Sequence, residues 1–176
     1  MGWENDVLLK RTMVRHNVPG GLSTGIHYDR IFLRYGEAEF LTAWVPIGDC
    51  AANGGGLMYM ESSSQIGRAM EAEFMERAKD MPEEERLSGF NKNMGKHGQL
   101  AQDAAEFGRG KGRWLTASYE AGDVVFHNPY VIHAAAKNED FETRRIRLSA
   151  DLRFYEEGSS LDHRWMQKAW TPGDGL

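Results

Sequence analysis

Apolar and polar positions change period along this chain, and the changes mark its elements. Lys10 to Arg15 alternates basic with apolar or hydroxyl residues, the two-residue period of a half-buried strand. Asn17-Val18-Pro19-Gly20-Gly21 follows as a turn, because proline fixes φ and the glycines admit positive φ. His27 to Arg34 has mixed polarity, with Ile31, Phe32 and Leu33 at its centre, and reads as a further strand. Phe40 to Ile47 is rich in β-branched and aromatic residues, the content of a buried strand, and Pro46 near its end implies a strand edge or a bulge. Asn53-Gly54-Gly55-Gly56 is a turn, from which Leu57-Met58-Tyr59-Met60 returns as a strand.

From Ser62 to Lys79 the period lengthens. Ile66, Met70, Phe74 and Ala78 recur every four residues, and Ser62, Ser63 or Ser64 can cap, so the segment is expected to form an amphipathic helix. Asp80 to Arg113 is charged, Gly-containing and weakly periodic; it reads as an insertion with a short helix around Leu100 to Phe107. Strands return at Trp114 to Tyr119, Val124 to Phe126 and Arg145 to Phe154, and Leu161 to Ala169 reads as a last short helix. Many short strands, glycine turns and few helices fit a mainly β jelly roll better than a doubly wound sheet. Gly54-Gly55-Gly56 has neither the spacing nor the strand–helix setting of a phosphate-binding loop.

Length and composition narrow the function classes. A chain of 176 residues is expected to be one domain, 1–176, long enough to bury a core without staples. Its 21 basic against 26 acidic side chains leave no basic stripe of the kind nucleic acid requires. One cysteine, Cys50, excludes an internal disulfide and fits a reducing compartment. No stretch has the apolar length of a membrane span, and the N-terminus lacks a signal-peptide pattern. The expectation is a cytoplasmic protein that engages neither nucleic acid nor membrane.

Two separated segments carry the chemistry. Gly25-Ile26-His27-Tyr28-Asp29 places an imidazole and a carboxylate two residues apart, on one face if the backbone is extended. Gly122 to His133 begins as a turn and continues as an apolar strand ending at His133, where an unpartnered histidine is costly to bury and Ala134, Ala135 and Ala136 leave room for a ligand. His127, six residues earlier beside Asn128-Pro129, competes for the same role. Two imidazoles and one carboxylate on one side of a metal leave the other side open, which suits non-haem Fe(II), although zinc accepts the same set. Downstream, Ile146, Leu148, Ala150 and Leu152 form one face of a strand and Arg145, Arg147, Ser149, Asp151 and Arg153 the other. A polar row turned into a barrel can receive a charged ligand, since arginine offers a planar fork that matches a carboxylate.

In order, His27-x-Asp29, Leu41-Thr42-Ala43-Trp44-Val45-Pro46, Asn53-Gly54-Gly55-Gly56-Leu57, Gly122 to His127, His133, Asn138 and the arginine strand resemble the phytanoyl-CoA dioxygenase family. These are Fe(II)- and 2-oxoglutarate-dependent oxygenases on a double-stranded β-helix. The resemblance implies His27, Asp29 and His133 as metal ligands, with His133 preferred over His127. It implies Arg147 and Ser149 as the anchor of the 2-oxoglutarate carboxylate, with Arg144 as the alternative, and Trp44 as a wall of that pocket. It implies a small-molecule substrate and O2 as partners, release of succinate and CO2, and hydroxylation or desaturation rather than halogenation, because Asp29 is retained where related halogenases carry a small residue. Members of the family carry a longer stretch ahead of the His-x-Asp motif than the 26 residues found here, which leaves open a fragment lacking an N-terminal region, a truncated gene product or a minimal version. Segment 64–113 is the candidate lid or substrate-determining insertion. The alternatives are a zinc-dependent or a non-catalytic metal-binding jelly roll.

Overall fold

The computed structural model describes residues 1–89, 94, 98–107, 112–168 and 172. Eight strands form two antiparallel sheets: β1 (Asp6–Leu8), β2 (Met13–Asn17), β3 (Phe40–Ile47), β4 (Leu57–Met60), β5 (Trp114–Thr116), β6 (Val125–His127), β7 (His133–Ala135) and β8 (Arg147–Glu156). Two helices, α1 (Ser64–Arg77) and α2 (Glu83–Leu87), lie in the insertion. In the larger sheet β3 runs between β6 and β8, and β1 and β2 pair with β8 in tandem. The smaller sheet runs β5-β4-β7. The bridge between His27 and His133 carries it one residue further. This is the mainly β jelly roll that the short strands and glycine turns imply. Among the described residues no helix is long and apolar enough to cross a membrane.

The inner face of the larger sheet is polar where it meets the site. On β8 the buried residues are Arg147, Ser149, Asp151, Arg153 and Tyr155, while Leu148 is exposed and Ala150, Leu152 and Phe154 are half-buried. The apolar row of this strand therefore faces outward, beside the exposed Val14, Ile47 and Phe126. Apolar cores flank the polar row instead. Leu9, Leu33, Phe40, Tyr155 and Trp165 close one end; Ile26, Tyr28, Ile31, Ile132 and Ala134 form another cluster; Trp44, Cys50, Leu57 and Tyr119 form a third. Pro46 is accommodated because β6 pairs with β3 only from Thr42 to Trp44, so no ladder bond is asked of its nitrogen on that side.

Several elements differ from the sequence reading, each for a local reason. The strand expected at Lys10 to Arg15 forms at Met13–Asn17, and Asn17 is no turn residue: its Nδ2 donates to the Gly55 and Ala136 carbonyls. His27 to Arg34 forms no strand: His27 makes an isolated bridge and a 3-10 turn follows over Asp29–Phe32, held by Ile31 N to Tyr28 O and Leu33 N to Arg30 O. The segment from Gly122 to His133 is two strands in different sheets, so His133 opens β7 rather than ending the strand before it. Around Leu100 to Phe107 a helix gives way to turns, because Asp103 accepts from the Ala105 nitrogen through its side chain. The last helix reduces to a 3-10 turn at His163–Met166, and Ala169 lies outside the described residues.

Helix α1 forms where its period predicts, but its buried stripe runs through Gly67, Glu71, Phe74 and Ala78, leaving Ile66 exposed. Ser63 does not cap it; the Ser63 hydroxyl accepts from the Ile132 nitrogen at 2.9 Å and Ser64 donates to Asn128, tying the helix to the β6–β7 connection. Gly67 sits so close that an added Cβ would overlap the Tyr130 carbonyl oxygen. Alanine is the better helix former by about 1 kcal/mol, yet this contact is with backbone and cannot be relieved by a rotamer change. Gly67→Ala is therefore expected to destabilise by about 1–3 kcal/mol in urea denaturation, opposite in sign to the propensity.

Candidate metal centre and carboxylate pocket

The fold brings the sequence-separated donors together. His27 and His133 are antiparallel bridge partners, each donating its backbone nitrogen to the other's carbonyl at 3.0 and 2.9 Å. Their side chains therefore emerge side by side, with ring centroids 4.3 Å apart. Asp29, at the start of the 3-10 turn, returns its carboxylate to them: Oδ1 lies 3.7 Å from His27 Nε2 and 3.8 Å from His133 Nε2. One ligand atom from each of the three residues lies within 4.8 Å of the others, and all three residues are buried.

The protonation pattern suits a cation. His27 Nδ1 lies 2.8 Å from the Gly25 carbonyl and His133 Nδ1 lies 2.9 Å from that of Val131. A carbonyl only accepts, so each Nδ1 carries the proton and each Nε2 turns a lone pair toward Asp29. Burial lowers the pKa of both imidazoles, more than the Asp29 carboxylate raises them, which favours the neutral, metal-binding form. Burial works against the Asp29 carboxylate, but the Arg153 guanidinium and the hydrogen bond with His127 outweigh it and hold the group well below the usual carboxylate range. Two neutral nitrogens and one anionic oxygen on one side of a point are the donors Fe(II) takes, so these residues fit the metal.

Asp29 is held by one row of the larger sheet. Thr42 is the register partner of both His127 on β6 and Arg153 on β8, so the three side chains stand abreast on the inner face. Thr42 Oγ1 donates to Asp29 Oδ2 at 2.6 Å, His127 Nε2 lies 3.2 Å from the same oxygen, and Arg153 Nη2 reaches Oδ1 at 3.3 Å. His127 is oriented in turn by the Tyr59 hydroxyl, 3.0 Å from its Nδ1. The structure thus places His127 behind the carboxylate rather than in the donor triangle.

A cavity adjoins the donor set, lined by Thr42, Trp44, Arg147 and Ala135 among others. Arg147 is buried; its Nε donates to the Gly55 carbonyl at 2.9 Å and its Nη1 to Ser149 Oγ at 2.7 Å. Gly55 has φ +78°, and an added Cβ there would strike Asn17 and Asn138. Trp44 Nε1 is buried without a hydrogen-bond partner among the described residues, a donor left for whatever enters. Arg144, by contrast, is exposed on a turn with φ 54° and does not line this cavity. The sequence reading gives Thr42, Tyr59 and Arg15 no role and names Arg153 and Asp151 only within the inward polar row; Arg15 and Asp151 pair at 2.7 Å. Thr42 and Arg153 each lie an even number of residues from a chosen position on the same strand, Trp44 and Arg147, which was the available signal.

The sequence model of the phytanoyl-CoA dioxygenase (PhyH) family matches residues 2–146. No curated protein matches the chain. Among solved structures, the non-heme alpha ketoglutarate dependent carbocyclase SnoK from nogalamycin biosynthesis is 20% identical with TM-score 0.53, over 82% of this chain and 49% of that one. The epimerase SnoN, in complex with Fe3+, alpha ketoglutarate and nogalamycin RO, is 18% identical with TM-score 0.56, over 97% of this chain and 58% of its own. EvdO2 from Micromonospora carbonacea var. aurantiaca, complexed with 2-oxoglutarate, is 15% identical with TM-score 0.52, over 93% and 59%. At these identities the likeness establishes the shared jelly roll, and the chain spans between 49% and 59% of these three structures. The family match, which takes in His27, Asp29, Trp44 and His133, reaches further than a likeness of fold: this chain belongs to the phytanoyl-CoA dioxygenase family.

Proposed function

We propose that this chain is an Fe(II)- and 2-oxoglutarate-dependent dioxygenase that hydroxylates or desaturates a small organic molecule, releasing succinate and CO2. The observation that carries the reading is the juxtaposition, around one cavity, of two imidazole Nε2 atoms and the Asp29 carboxylate with the buried Arg147, which Ser149 holds from behind. Fe(II) and 2-oxoglutarate, when bound, supply the oxidising chemistry with O2. The chain's own part is holding and excluding. His27, Asp29 and His133 would hold the metal, and Thr42, His127 and Arg153 keep the carboxylate turned toward it. Arg147 and Ser149 would take the far carboxylate of the co-substrate, with Trp44 beside them, its ring 5.8 Å from the Arg147 guanidinium carbon. Burial of the donors keeps bulk water away from the reacting atoms.

Segment 64–113 is our candidate for the substrate-determining region. Its residues Leu100, Ala101, Ala104 and Phe107 pack against the cluster around Ile26 and Tyr28, and Ala101 bridges Ile26, next to His27. The bound small molecule would meet this segment and the metal together.

Calorimetric titration under anaerobic conditions tests the reading. The expected result is one equivalent of Fe(II) bound, followed by one of 2-oxoglutarate that binds only when the metal is present. Arg147→Ala should weaken 2-oxoglutarate by on the order of 100-fold, the loss of two charge-assisted hydrogen bonds, with metal affinity unchanged. Metal binding with no 2-oxoglutarate binding would instead leave a zinc-type or non-catalytic site.

A further inference from the structure

Arg15 plays no part in the reading so far, yet it stands at the mouth of the same cavity. It lies on β2 directly opposite Ser149 of β8 and lines the pocket with His27, Asp29, Arg147 and Asp151. Directly opposed side chains on antiparallel strands start about 4.5–5.5 Å apart at Cβ. A carboxylate held by Arg147 in this cavity therefore has Arg15 beside it, from across the β2–β8 ladder. Arg15 Nε donates to Asp151 Oδ2 at 2.7 Å, and its Nη2 lies 3.4 Å from Met13 Sδ. The Arg15 side chain is 32% exposed against 10% for Asp151, so it forms the rim while Asp151 lies deeper.

Charge and space both give the rim a role. Asp151 faces the cavity and, left alone, would repel a dianion; Arg15, which lines the same cavity, cancels that charge at the rim. The enclosed part of the cavity holds about 20 Å³, roughly the room of one water, so a five-carbon diacid enters more readily if a rim side chain moves. Arg15 and Thr24 are the partly exposed residues of its lining, and Arg15 has the longer, more flexible side chain. Arg147 is tied down at Gly55 and Ser149, and Trp44 is packed on Tyr119 with ring centroids 4.8 Å apart.

Resting on the oxygenase reading above, we propose that Arg15, braced by Asp151, is a second carboxylate-binding guanidinium that closes over the far carboxylate of 2-oxoglutarate opposite Arg147. The same chemistry could serve a carboxylate of the substrate, and the test separates the two sources. The protein loaded with redox-inert Mn(II) is titrated with 2-oxoglutarate and with 2-oxopentanoate, which keeps the metal-binding end and lacks the far carboxylate. Arg15→Gln is expected to weaken 2-oxoglutarate by about tenfold or more, the value of one charge-assisted contact, and to leave 2-oxopentanoate unchanged. Arg15→Lys should recover part of the loss. In Arg15→Gln/Asp151→Asn the loss should persist; full recovery would mean that Arg15 only neutralises Asp151 and would overturn the contact. Unchanged 2-oxoglutarate affinity in Arg15→Gln overturns this inference alone and points to a substrate carboxylate. Absence of 2-oxoglutarate binding in the unmodified protein overturns the oxygenase reading and this inference with it. Circular dichroism and Mn(II) affinity of each variant confirm that the fold and metal site persist.

Discussion

Asp29→Ala is expected to abolish metal binding and, independently, to lower the stability of the metal-free protein by about 3–5 kcal/mol. The second effect follows from Arg153, 2% exposed, whose cation has Asp29 as its carboxylate partner. Arg153 Nε and Nη1 already lack partners among the described residues, so little remains to compensate the charge once the carboxylate is gone. For a chain of this length the loss corresponds to a fall in Tm on the order of 10 °C. A double variant separates the roles. Arg153→Met removes the orphaned cation and can pack on Trp165, whose ring lies 4.9 Å from the guanidinium carbon. Asp29→Ala/Arg153→Met should therefore regain most of the stability in urea denaturation and none of the Mn(II) affinity. If Asp29→Ala alone unfolds at the same urea concentration as the unmodified protein, the ion pair contributes nothing and Arg153 serves another purpose.

This dependence shows what the sequence could and could not disclose. The expectation for the three donors rests on the ordered set of motifs that resembles the family, because a histidine two residues before an aspartate is too common a pattern to carry it alone. The inward polar row of β8 was readable as well, because alternation along one strand is a local property. What supports Asp29 was not. Thr42, His127 and Arg153 come from three strands separated by 85 and 26 residues, and only the β3–β6 and β3–β8 registers bring them abreast. Register is set by the whole sheet and leaves no signature at any one of these residues.

The errors have the same origin. The four-residue repeat of α1 holds at Phe74 and Ala78, which are buried, but in the first turns the helix packs where Gly67 allows its backbone to approach Tyr130, which leaves Ile66 exposed. His27 to Arg34 was read as extended because its central residues are apolar. Its 3-10 turn is imposed from outside, with Arg30 N donating to the Pro129 carbonyl of the β6–β7 connection at 2.9 Å. That turn is what swings Asp29 back toward His27, so the misread segment is the one that shapes the metal centre.

The turn is fixed in place by a second buried charge pair, and Glu71→Ala is expected to show how strongly. Arg34, at 2% side-chain exposure, donates Nε to Glu71 Oε1 at 2.7 Å and Nη2 to Oε2 at 2.8 Å, a bidentate fork. Tyr28, between the candidate donors His27 and Asp29, donates its hydroxyl to the same Oε2 at 2.8 Å, and burial followed by Glu71 pushes its ionisation far up. Glu71→Ala leaves Arg34 with the Ser88 carbonyl at 3.4 Å and the face of Phe74 at 4.0 Å, at a cost of about 3–5 kcal/mol in urea denaturation. It also frees Tyr28, so Mn(II) affinity should fall by roughly 10–100-fold, the usual effect of removing a group that orients a metal ligand. Glu71→Leu/Arg34→Met tests the link between the two effects. Replacing both charges by apolar groups should restore stability, because a buried pair gains little over well-packed side chains. Mn(II) affinity should stay low, because Tyr28 still lacks its acceptor. Recovery of both would reduce the network to a stability device and detach α1 from the metal centre.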